Sequence, residues 1–178
     1  MPGIYQPSED SYFLSKILKK EIPMLLDKNK NLNVLEIRSG SGIQFSTLKE
    51  SGVKSLVGLD INPDAVKHCK RLGFKCILSD IFSKVSERFD LIIFNPPYLP
   101  KDKFDKEKDT TGGKKGSEII NRFLEQAKNH LNKNGKIILL TSSLTKGIKW
   151  RNYNKKLLGK NKLFFEQLYV WGLKSKQT

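Results

Sequence analysis

Residues 91–98 read LIIFNPPY, and this stretch governs how the rest of the chain is interpreted. Its four apolar residues predict a short strand that is buried on both sides. The two prolines end that strand, because proline cannot donate a hydrogen bond to a neighbouring strand. Asn95 precedes a proline, so its backbone is held in extended geometry. A stiffly held amide is therefore expected at the carboxyl end of a buried strand, where open α/β sheets bind their ligands.

The groups that follow this strand suit a planar NH2 group. Asn95 offers a side-chain amide, the two prolines offer carbonyls of fixed direction, and Tyr98 offers a flat aromatic face. The same residues would also serve as a plain strand end, with a proline stop and a capping asparagine. The residues upstream decide between these two interpretations.

A glycine-rich turn follows an earlier predicted strand. Residues 33–37 read NVLEI, residues 38–42 read RSGSG, and an apolar-periodic helix begins directly afterwards. Strand, glycine-rich turn and helix form a nucleotide-binding geometry, because the backbone can approach the ligand and the helix N–H groups face it. The next strand ends at Asp60, where an acid typically accepts hydrogen bonds from ribose hydroxyls.

Strand and helix signals alternate along the chain, which predicts a parallel sheet with helices on both faces. Ser8 and Ser117 are candidate caps for a first helix and for a helix that runs to about Asn132. Residues 145–156 are expected to hold only a turn or a short helix, and the aromatic run that begins at Phe164 is expected to close the sheet as an antiparallel hairpin. Strands are predicted over residues 33–37, 55–60, 75–79, 89–94 and 135–141.

The chain is strongly basic, with a net charge of +15, and the 15 Lys/Arg against 3 Asp/Glu in residues 110–178 contribute +12 of it. One explanation is a solvated, lysine-rich surface; the other is a macromolecular partner such as RNA, a ribosomal particle or an acidic protein. The lysines are scattered rather than clustered with aromatic residues, which favours the first explanation.

Composition also predicts where the protein works. No apolar run approaches the about 20 residues of a membrane span, and the N-terminus has no signal-peptide pattern, so we expect a cytoplasmic protein without a membrane partner. Cys69 and Cys76 are not spaced as a metal-binding pair, and we expect reduced, partly buried thiols. His68 and His130 are isolated, so we expect no metal site.

Taken in order, LEIRSGSG, GLDINP, SDIF and FNPPY resemble the class I S-adenosylmethionine-dependent methyltransferases. Asn-Pro-Pro-Tyr narrows the resemblance to enzymes that methylate a planar amino or amide nitrogen. Residues 5–11, YQPSEDS, resemble the Y-x-P-[AS]-E-D-[TS] opening of the archaeal and eukaryotic HemK-type enzymes, and residues 111–116, TGGKKG, resemble their GG-x-x-G segment. The resemblance spans essentially the whole chain. It implies an α/β Rossmann-like class I methyltransferase fold, with a mostly parallel seven-stranded sheet and an antiparallel C-terminal strand.

The resembled enzymes methylate the side-chain amide of the glutamine in the Gly-Gly-Gln loop of class I release factors. The resemblance therefore implies S-adenosylmethionine as cofactor, a release factor as substrate, and a small zinc-binding activator subunit that forms a heterodimer with the enzyme. One alternative is a methyltransferase acting on an exocyclic amine of rRNA, tRNA or DNA, although direct nucleic-acid binding is not favoured. A second alternative is a non-catalytic binding protein with this fold.

The resemblance also implies roles for individual residues and segments. It implies an N-terminal lid helix within residues 1–20. The length of the chain predicts a single domain over residues 1–178, and the long irregular segment rich in Lys and Asp predicts a mobile loop over residues 99–116 near the site. The implied catalytic residues are Asn95, Pro96 and Tyr98, and the implied substrate-binding residues are these three with Pro97. The implied cofactor-binding residues are Ser11, Glu36, Arg38, Gly40, Gly42, Asp60, Ile61, Asp80, Ile81 and Asn95.

Two positions depart from the family pattern. Arg38 stands where the family has the first glycine of its E-x-G-x-G-x-G turn, a glycine that lets the backbone pass close to the cofactor. A residue with a side chain is unstrained there if φ is negative and strained if φ is positive. The chain after Ser143 is also shorter than in the family, which usually has a fuller helix before the last strands.

Overall fold

The computed structural model of this protein describes residues 4–100 and 113–176. A short 3-10 turn, Lys128–His130, leads from the last helix into the fifth strand. The elements in chain order are α1 (Glu9–Lys28), β1 (Asn33–Ile37), α2 (Ile43–Glu50), β2 (Ser55–Asp60), α3 (Pro63–Arg71), β3 (Cys76–Leu78), β4 (Phe89–Phe94), α4 (Glu118–Ala127), β5 (Leu131–Ser142), β6 (Tyr153–Lys162) and β7 (Gln167–Ser175).

The seven strands form one sheet in the order β3-β2-β1-β4-β5-β7-β6. The first five strands of that order are parallel, and β7 runs antiparallel to both β5 and β6. The predicted Rossmann-like, mostly parallel seven-stranded sheet with an antiparallel C-terminal hairpin is therefore confirmed.

Both faces of the sheet are covered. Four successive residues of β4, Leu91 to Phe94, are fully buried, which requires a layer on each side since neighbouring side chains point to opposite faces. Phe123 of α4 packs against Phe94, and α1 contacts α2, β6 and β7. Parallel strands need such cover, and their near-continuous apolar sequences follow from it.

The register of the central strands sets the level at which three turns leave the sheet. Ile37 of β1 pairs with Leu59 of β2 on one side and with Phe94 of β4 on the other. The residues that follow these positions, Arg38, Asp60 and Asn95, are therefore neighbours at one edge. The two sequence motifs identified above meet there, at the carboxyl ends of β1 and β4.

The C-terminal part departs most from the sequence prediction. Residues 153–156 belong to β6, so the expectation of only a turn or short helix over residues 145–156 is wrong there. β6 is an edge strand with few apolar residues, and its pairing with β7 rather than an apolar run stabilises it. Phe164 and Phe165 lie in the turn between β6 and β7, 94% and 86% exposed, and not in a strand.

Smaller differences concern element boundaries. α4 ends at Ala127 rather than near Asn132, and β5 begins at Leu131, four residues before the predicted start. Most of the loop expected over residues 99–116 lies outside the described residues. In the parts of the chain that the structure describes, no helix is long and apolar enough to cross a membrane. Cys69 and Cys76 are both buried and are not joined in a disulfide.

Candidate active site

An open cleft lies at the carboxyl ends of β1, β2 and β4, where the three turns meet. Nine of the residues expected at the site line this cleft: Ser11, Glu36, Arg38, Gly40, Asp60, Asn95, Pro96, Pro97 and Tyr98. Ser39 and Ser41 of the predicted glycine-rich turn also line the cleft. The remaining lining residues, which were not predicted at the site, are Tyr5, Asp10, Ile43, Gln44, Asn62, Ala65 and Leu99.

The turn after β1 has a left-handed backbone at three positions. Arg38 has φ 59°, Gly40 has φ 51° and Gly42 has φ 79°. The two glycines adopt this geometry freely, whereas a residue with a Cβ pays about 1–2 kcal/mol for it. Of the two possibilities stated above for Arg38, the strained one therefore applies. A hydrogen bond of 2.7 Å from the Arg38 N–H to the Leu59 carbonyl holds this turn against the end of β2.

Asp60 ties the turns after β1 and β2 together. Its side chain is buried, its Oδ2 accepts a 2.9 Å hydrogen bond from the Gly40 N–H, and its Oδ1 accepts one of 2.9 Å from the Asn62 N–H. Each carboxylate oxygen can accept a second hydrogen bond, so Asp60 keeps acceptor capacity on the side that faces the cleft.

Glu36, the fourth residue of β1, places a carboxyl group at the floor of the cleft. The side chain is buried, and its Oε2 has no hydrogen-bond partner among the described residues. Burial raises the pKa of Glu36 well above its usual range, and the nearby Cys76 and Asp60 raise it further. A buried carboxyl with an unused oxygen is suited to a ligand that brings hydrogen-bond donors or positive charge.

Asn95 has one half of its amide engaged and the other half free. Its Nδ2 donates a 2.9 Å hydrogen bond to Oδ2 of Asp10, while its Oδ1 is buried and has no partner in the described part of the chain. The free oxygen belongs to a residue that lines the cleft. The amide is thus an acceptor held ready for an N–H donor.

Tyr98 is fixed by its backbone as well as by burial. Its carbonyl accepts a 2.9 Å hydrogen bond from Oγ1 of Thr145. Gly116, at φ 76°, packs on the backbone that follows Tyr98, and a Cβ at this glycine would lie 3.1 Å from the nitrogen of Pro100. This close approach explains the last glycine of the GG-x-x-G segment; its Thr111 and Gly112 lie outside the described residues. Burial raises the pKa of the Tyr98 hydroxyl, and the charges of Asp10 and Glu166 raise it further.

The start of α1 forms one wall of the cleft. Ser11 is buried, and its carbonyl accepts a 2.9 Å hydrogen bond from Nε2 of Gln44, which joins α1 to α2. Ser8 precedes α1, but its hydroxyl donates to Asp10 instead of accepting from a helix N–H. Asp10 lies within the residues 5–11 quoted above but was not predicted as a site residue. Its place beside Asn95 was missed because nothing local in YQPSEDS distinguishes a buried acid from the exposed Glu9.

Four expected cofactor residues do not line the cleft. Asp80 forms a bidentate ion pair with Arg122 of α4, with distances of 2.7 and 2.8 Å. Ile81 is buried in the core with φ 50°, and Ile61 is 44% exposed. Gly42 turns away, so that a Cβ there would meet Phe74 at 3.3 Å. Within residues 4–100 and 113–176, no group of three or more His, Cys, Asp or Glu is placed to hold a metal ion.

Known proteins resemble this chain in sequence and in fold. The family described as "Methyltransferase small domain" matches residues 13–160. A protein of Methanocaldococcus jannaschii named "Putative protein N5-glutamine methyltransferase" is 37% identical over an alignment of 187 positions, and the match covers 95% of this chain and 90% of that protein. The human methyltransferase HEMK2 is 28% identical over 155 residues, which cover 78% of this chain and 71% of HEMK2.

A solved structure of similar fold is the Mtq2–Trm112 complex of E. cuniculi, described as responsible for the methylation of the translation termination factor eRF1. It matches with a TM-score of 0.77 at 23% identity and covers 97% of this chain and 99% of that chain. At this identity the likeness concerns the fold, and it extends over nearly every element described above.

Proposed function

The chain belongs to the methyltransferase small-domain family, and from that premise we propose that it transfers a methyl group from S-adenosylmethionine to the side-chain amide nitrogen of a protein glutamine. The proposed target is the glutamine in the Gly-Gly-Gln loop of a class I release factor. The observation that carries the proposal is the Asn95 amide, whose buried Oδ1 has no partner among the described residues and belongs to the cleft wall. The relative that is 37% identical is named for the same reaction class.

The cleft fits S-adenosylmethionine on two observations. Glu36 carries a buried, unpartnered oxygen, which suits the ammonium group of the methionine part. The left-handed backbone at Gly40 leaves room for a close approach, and Asp60 retains acceptor capacity for ribose hydroxyls. When bound, the cofactor supplies a methyl group on a positively charged sulfur. Arg38 also lines the cleft, and its charge disfavours a cationic ligand.

The chain's own residues act on the target amide in three ways. The Oδ1 of Asn95 and the backbone carbonyl of Pro96 each accept one N–H of the glutamine side chain, which turns its nitrogen toward the methyl donor. The ring of Tyr98 packs on the flat amide and excludes water. An amide nitrogen is a weak nucleophile, because its lone pair is delocalised into the carbonyl. Acceptors placed where positive charge develops on nitrogen contribute a few kcal/mol, and alignment contributes about as much again.

No strong base is needed before transfer. The nitrogen becomes more acidic as the new bond forms, and its proton leaves afterwards. No histidine lines the cleft within the described residues. Tyr98 is unsuited to act as a base, because burial raises the pKa of its hydroxyl. The residues of the cleft therefore act by orientation and hydrogen bonding rather than by proton abstraction.

We further propose a heterodimer with a small, zinc-binding activator subunit, docked at the β3 edge of the sheet. β3 pairs only with β2 in the described sheet, so its outer backbone groups are open to a further strand. Leu78 at the end of β3 and Leu72, which precedes the strand, are about half exposed, and an apolar partner would cover them. Release factors act at the ribosome, so the proposed place of action is the cytoplasm.

The proposal is tested with one donor and competing substrates. The protein, alone and with a co-expressed activator subunit, is incubated with isotope-labelled S-adenosylmethionine and either purified class I release factor, rRNA or tRNA. We expect label in the release factor only. A release factor whose Gly-Gly-Gln glutamine is replaced by alanine is the control and should stay unlabelled. Label in RNA instead would overturn the protein-glutamine assignment in favour of the nucleic-acid alternative.

A further inference from the structure

Asp10 is a charged side chain buried at the start of α1, with only 3% of its surface exposed. One carboxylate oxygen, Oδ1, accepts four hydrogen bonds from residues close by in the sequence. Oδ1 accepts from the Tyr5 hydroxyl at 3.0 Å, the Ser8 hydroxyl at 2.8 Å, and the N–H and hydroxyl of Ser11 at 2.6 and 3.2 Å. This oxygen is therefore committed to the N-terminal segment and to the first turn of the helix.

The second oxygen of Asp10 reaches across to the end of β4. Oδ2 accepts a hydrogen bond of 2.9 Å from Nδ2 of Asn95. Carboxylate oxygens only accept hydrogen bonds, so the Asn95 amide must present its NH2 group to Asp10. Its carbonyl oxygen then lies on the opposite side of the amide, buried and without a partner in the described chain. The direction of the free acceptor thus follows from the chemistry of its neighbour.

We propose that Asp10 is the positioning residue that fixes the Asn95 amide with its carbonyl oxygen toward the target NH2 group. The inference rests on the proposed function, because it names what orients the clamp for the glutamine side chain. Asn95 touches the substrate, whereas Asp10 acts through Asn95. The N-terminal segment and the Asn-Pro-Pro-Tyr turn, which are 85 residues apart at these two side chains, form one functional unit.

The substitution Asp10→Asn separates this role from a merely structural one. Of the four groups at Oδ1, the three hydroxyls can rotate and also accept, but the Ser11 backbone N–H can only donate and still requires an oxygen there. The new NH2 group must therefore occupy the position of Oδ2 and face Asn95. Two NH2 groups repel each other, and the Asn95 amide turns over to offer its oxygen. Its own NH2 group then faces the cleft, where it opposes the NH2 group of the target. The near-isosteric change therefore inverts the polarity of the clamp.

The substitution Asp10→Ala removes the partner and leaves the Asn95 amide free to turn. We expect Asp10→Ala to lower kcat/KM for the release factor about tenfold, and Asp10→Asn to lower it about 100-fold or more. Affinity for S-adenosylmethionine should change less than a few-fold in both variants. The neighbouring exposed acid supplies the control, and Glu9→Gln should keep the wild-type kinetics. A structural role predicts the reverse order, because alanine loses every hydrogen bond and leaves a cavity.

A double variant with Asp10→Asn and Asn95→Asp restores the acceptor. The amide at position 10 then donates to the carboxylate at position 95, whose second oxygen faces the cleft. We expect kcat/KM to recover at least about tenfold over Asp10→Asn alone. No recovery, or a lower rate for Asp10→Ala than for Asp10→Asn, would overturn the inference.

The orientation also has a readout that needs neither cofactor nor substrate. Side-chain amide signals in 1H–15N spectra identify Asn95 by their loss in Asn95→Ala. In the wild-type protein we expect slow solvent exchange of the NH2 group that bonds Asp10, and in Asp10→Asn faster exchange as that group turns to the cleft. Unchanged exchange would refute the inference. If the wild-type protein methylates no release factor, the proposed function fails, and these spectra still decide the role of Asp10.

Discussion

The turns that leave β1 and β4 lie side by side at one edge of the sheet but are built on opposite principles. The turn over residues 38–42 depends on backbone freedom: three of its residues are left-handed, and one of them, Arg38, has a side chain. The turn over residues 95–98 depends on restriction, with two prolines and a side-chain amide bonded to Asp10. The left-handed, glycine-containing turn suits close contact with a cofactor, whereas the rigid, proline-containing turn suits the alignment of a reacting group. The predictions below test this division of labour.

The largest effect is expected at the rigid turn. Asn95→Ala removes the free Oδ1 acceptor, so turnover of the release factor should fall by at least about 1000-fold. Affinity for S-adenosylmethionine, measured by isothermal titration, should stay within a few-fold of wild type, because the cofactor turn is untouched. Asn154→Ala, at an exposed site on β6, is the matched control and should leave both quantities unchanged. An Asn95→Ala variant with a normal rate would disprove the clamp.

At the floor of the cleft, beside the left-handed turn, Glu36→Gln should reverse this pattern and weaken the binding of the cofactor. A charged hydrogen bond contributes about 1.5–3 kcal/mol, so we expect S-adenosylmethionine to bind about 10–100-fold more weakly. Glu125→Gln on the exposed side of α4 is the control. Unchanged affinity for the Glu36 variant would show that this carboxyl does not hold the cofactor.

The same variant gives a pH test without cofactor. Burial raises the pKa of Glu36 in the folded protein above its unfolded value of about 4.3. Its contribution to stability is therefore full below that unfolded value and is lost as pH rises toward the folded pKa. Glutamine does not ionise, so Glu36→Gln avoids this loss. The free energy of unfolding of the variant, measured by urea denaturation, should therefore exceed that of the wild-type protein by more at pH 8 than at pH 5. A gain that is equal at the two pH values would contradict the raised pKa.

Two glycines with similar backbone geometry test whether the packing of Gly116 stabilises the rigid turn. Gly116 has φ 76° and packs on the backbone after Tyr98, whereas Gly73 has φ 80° and nothing within 4 Å of a Cβ position. Gly73→Ala should cost about 1 kcal/mol of stability from strain alone. Gly116→Ala should cost about 1–3 kcal/mol more and also lower kcat. Equal stabilities in thermal unfolding would show that the contact with the turn is unimportant.

The smallest effect is expected from Arg38→Gly, which removes the strain from the left-handed turn. Glycine relieves the left-handed strain, which stabilises the folded protein, but it also gives the unfolded chain more conformational freedom, which destabilises it. The two effects largely offset each other, so stability should rise by at most about 1 kcal/mol. The loss of a positive charge from the cleft should tighten S-adenosylmethionine binding a few-fold. Lys54→Gln, at the amino end of β2, removes a charge far from the cleft and should not change binding. Weaker binding by Arg38→Gly would mean that the arginine assists the cofactor.

The same contrast explains what the sequence could predict. The end of β4 was predictable because an apolar run and two prolines determine local structure almost alone. The position of Arg38 in the left-handed region was not, since φ there is set by the contact of its N–H with Leu59 on another strand. The C-terminal hairpin was predicted, but the residues of its edge strand β6 were not identified, because an edge strand needs no apolar run. Asp10 was missed because its partner Asn95 is distant in sequence. The ion pair of Asp80 with Arg122 could not be predicted for the same reason.

The central claim is that this protein methylates the side-chain nitrogen of one glutamine, with Asn95 holding the target amide. The most direct test is fragment mass spectrometry of release factor incubated with wild-type protein, its activator subunit and S-adenosylmethionine carrying a deuterated methyl group. We predict one labelled methyl group on the amide nitrogen of the Gly-Gly-Gln glutamine, and none when Asn95→Ala replaces the wild-type protein. A label on any other residue, or an equal label with the Asn95 variant, would contradict the account.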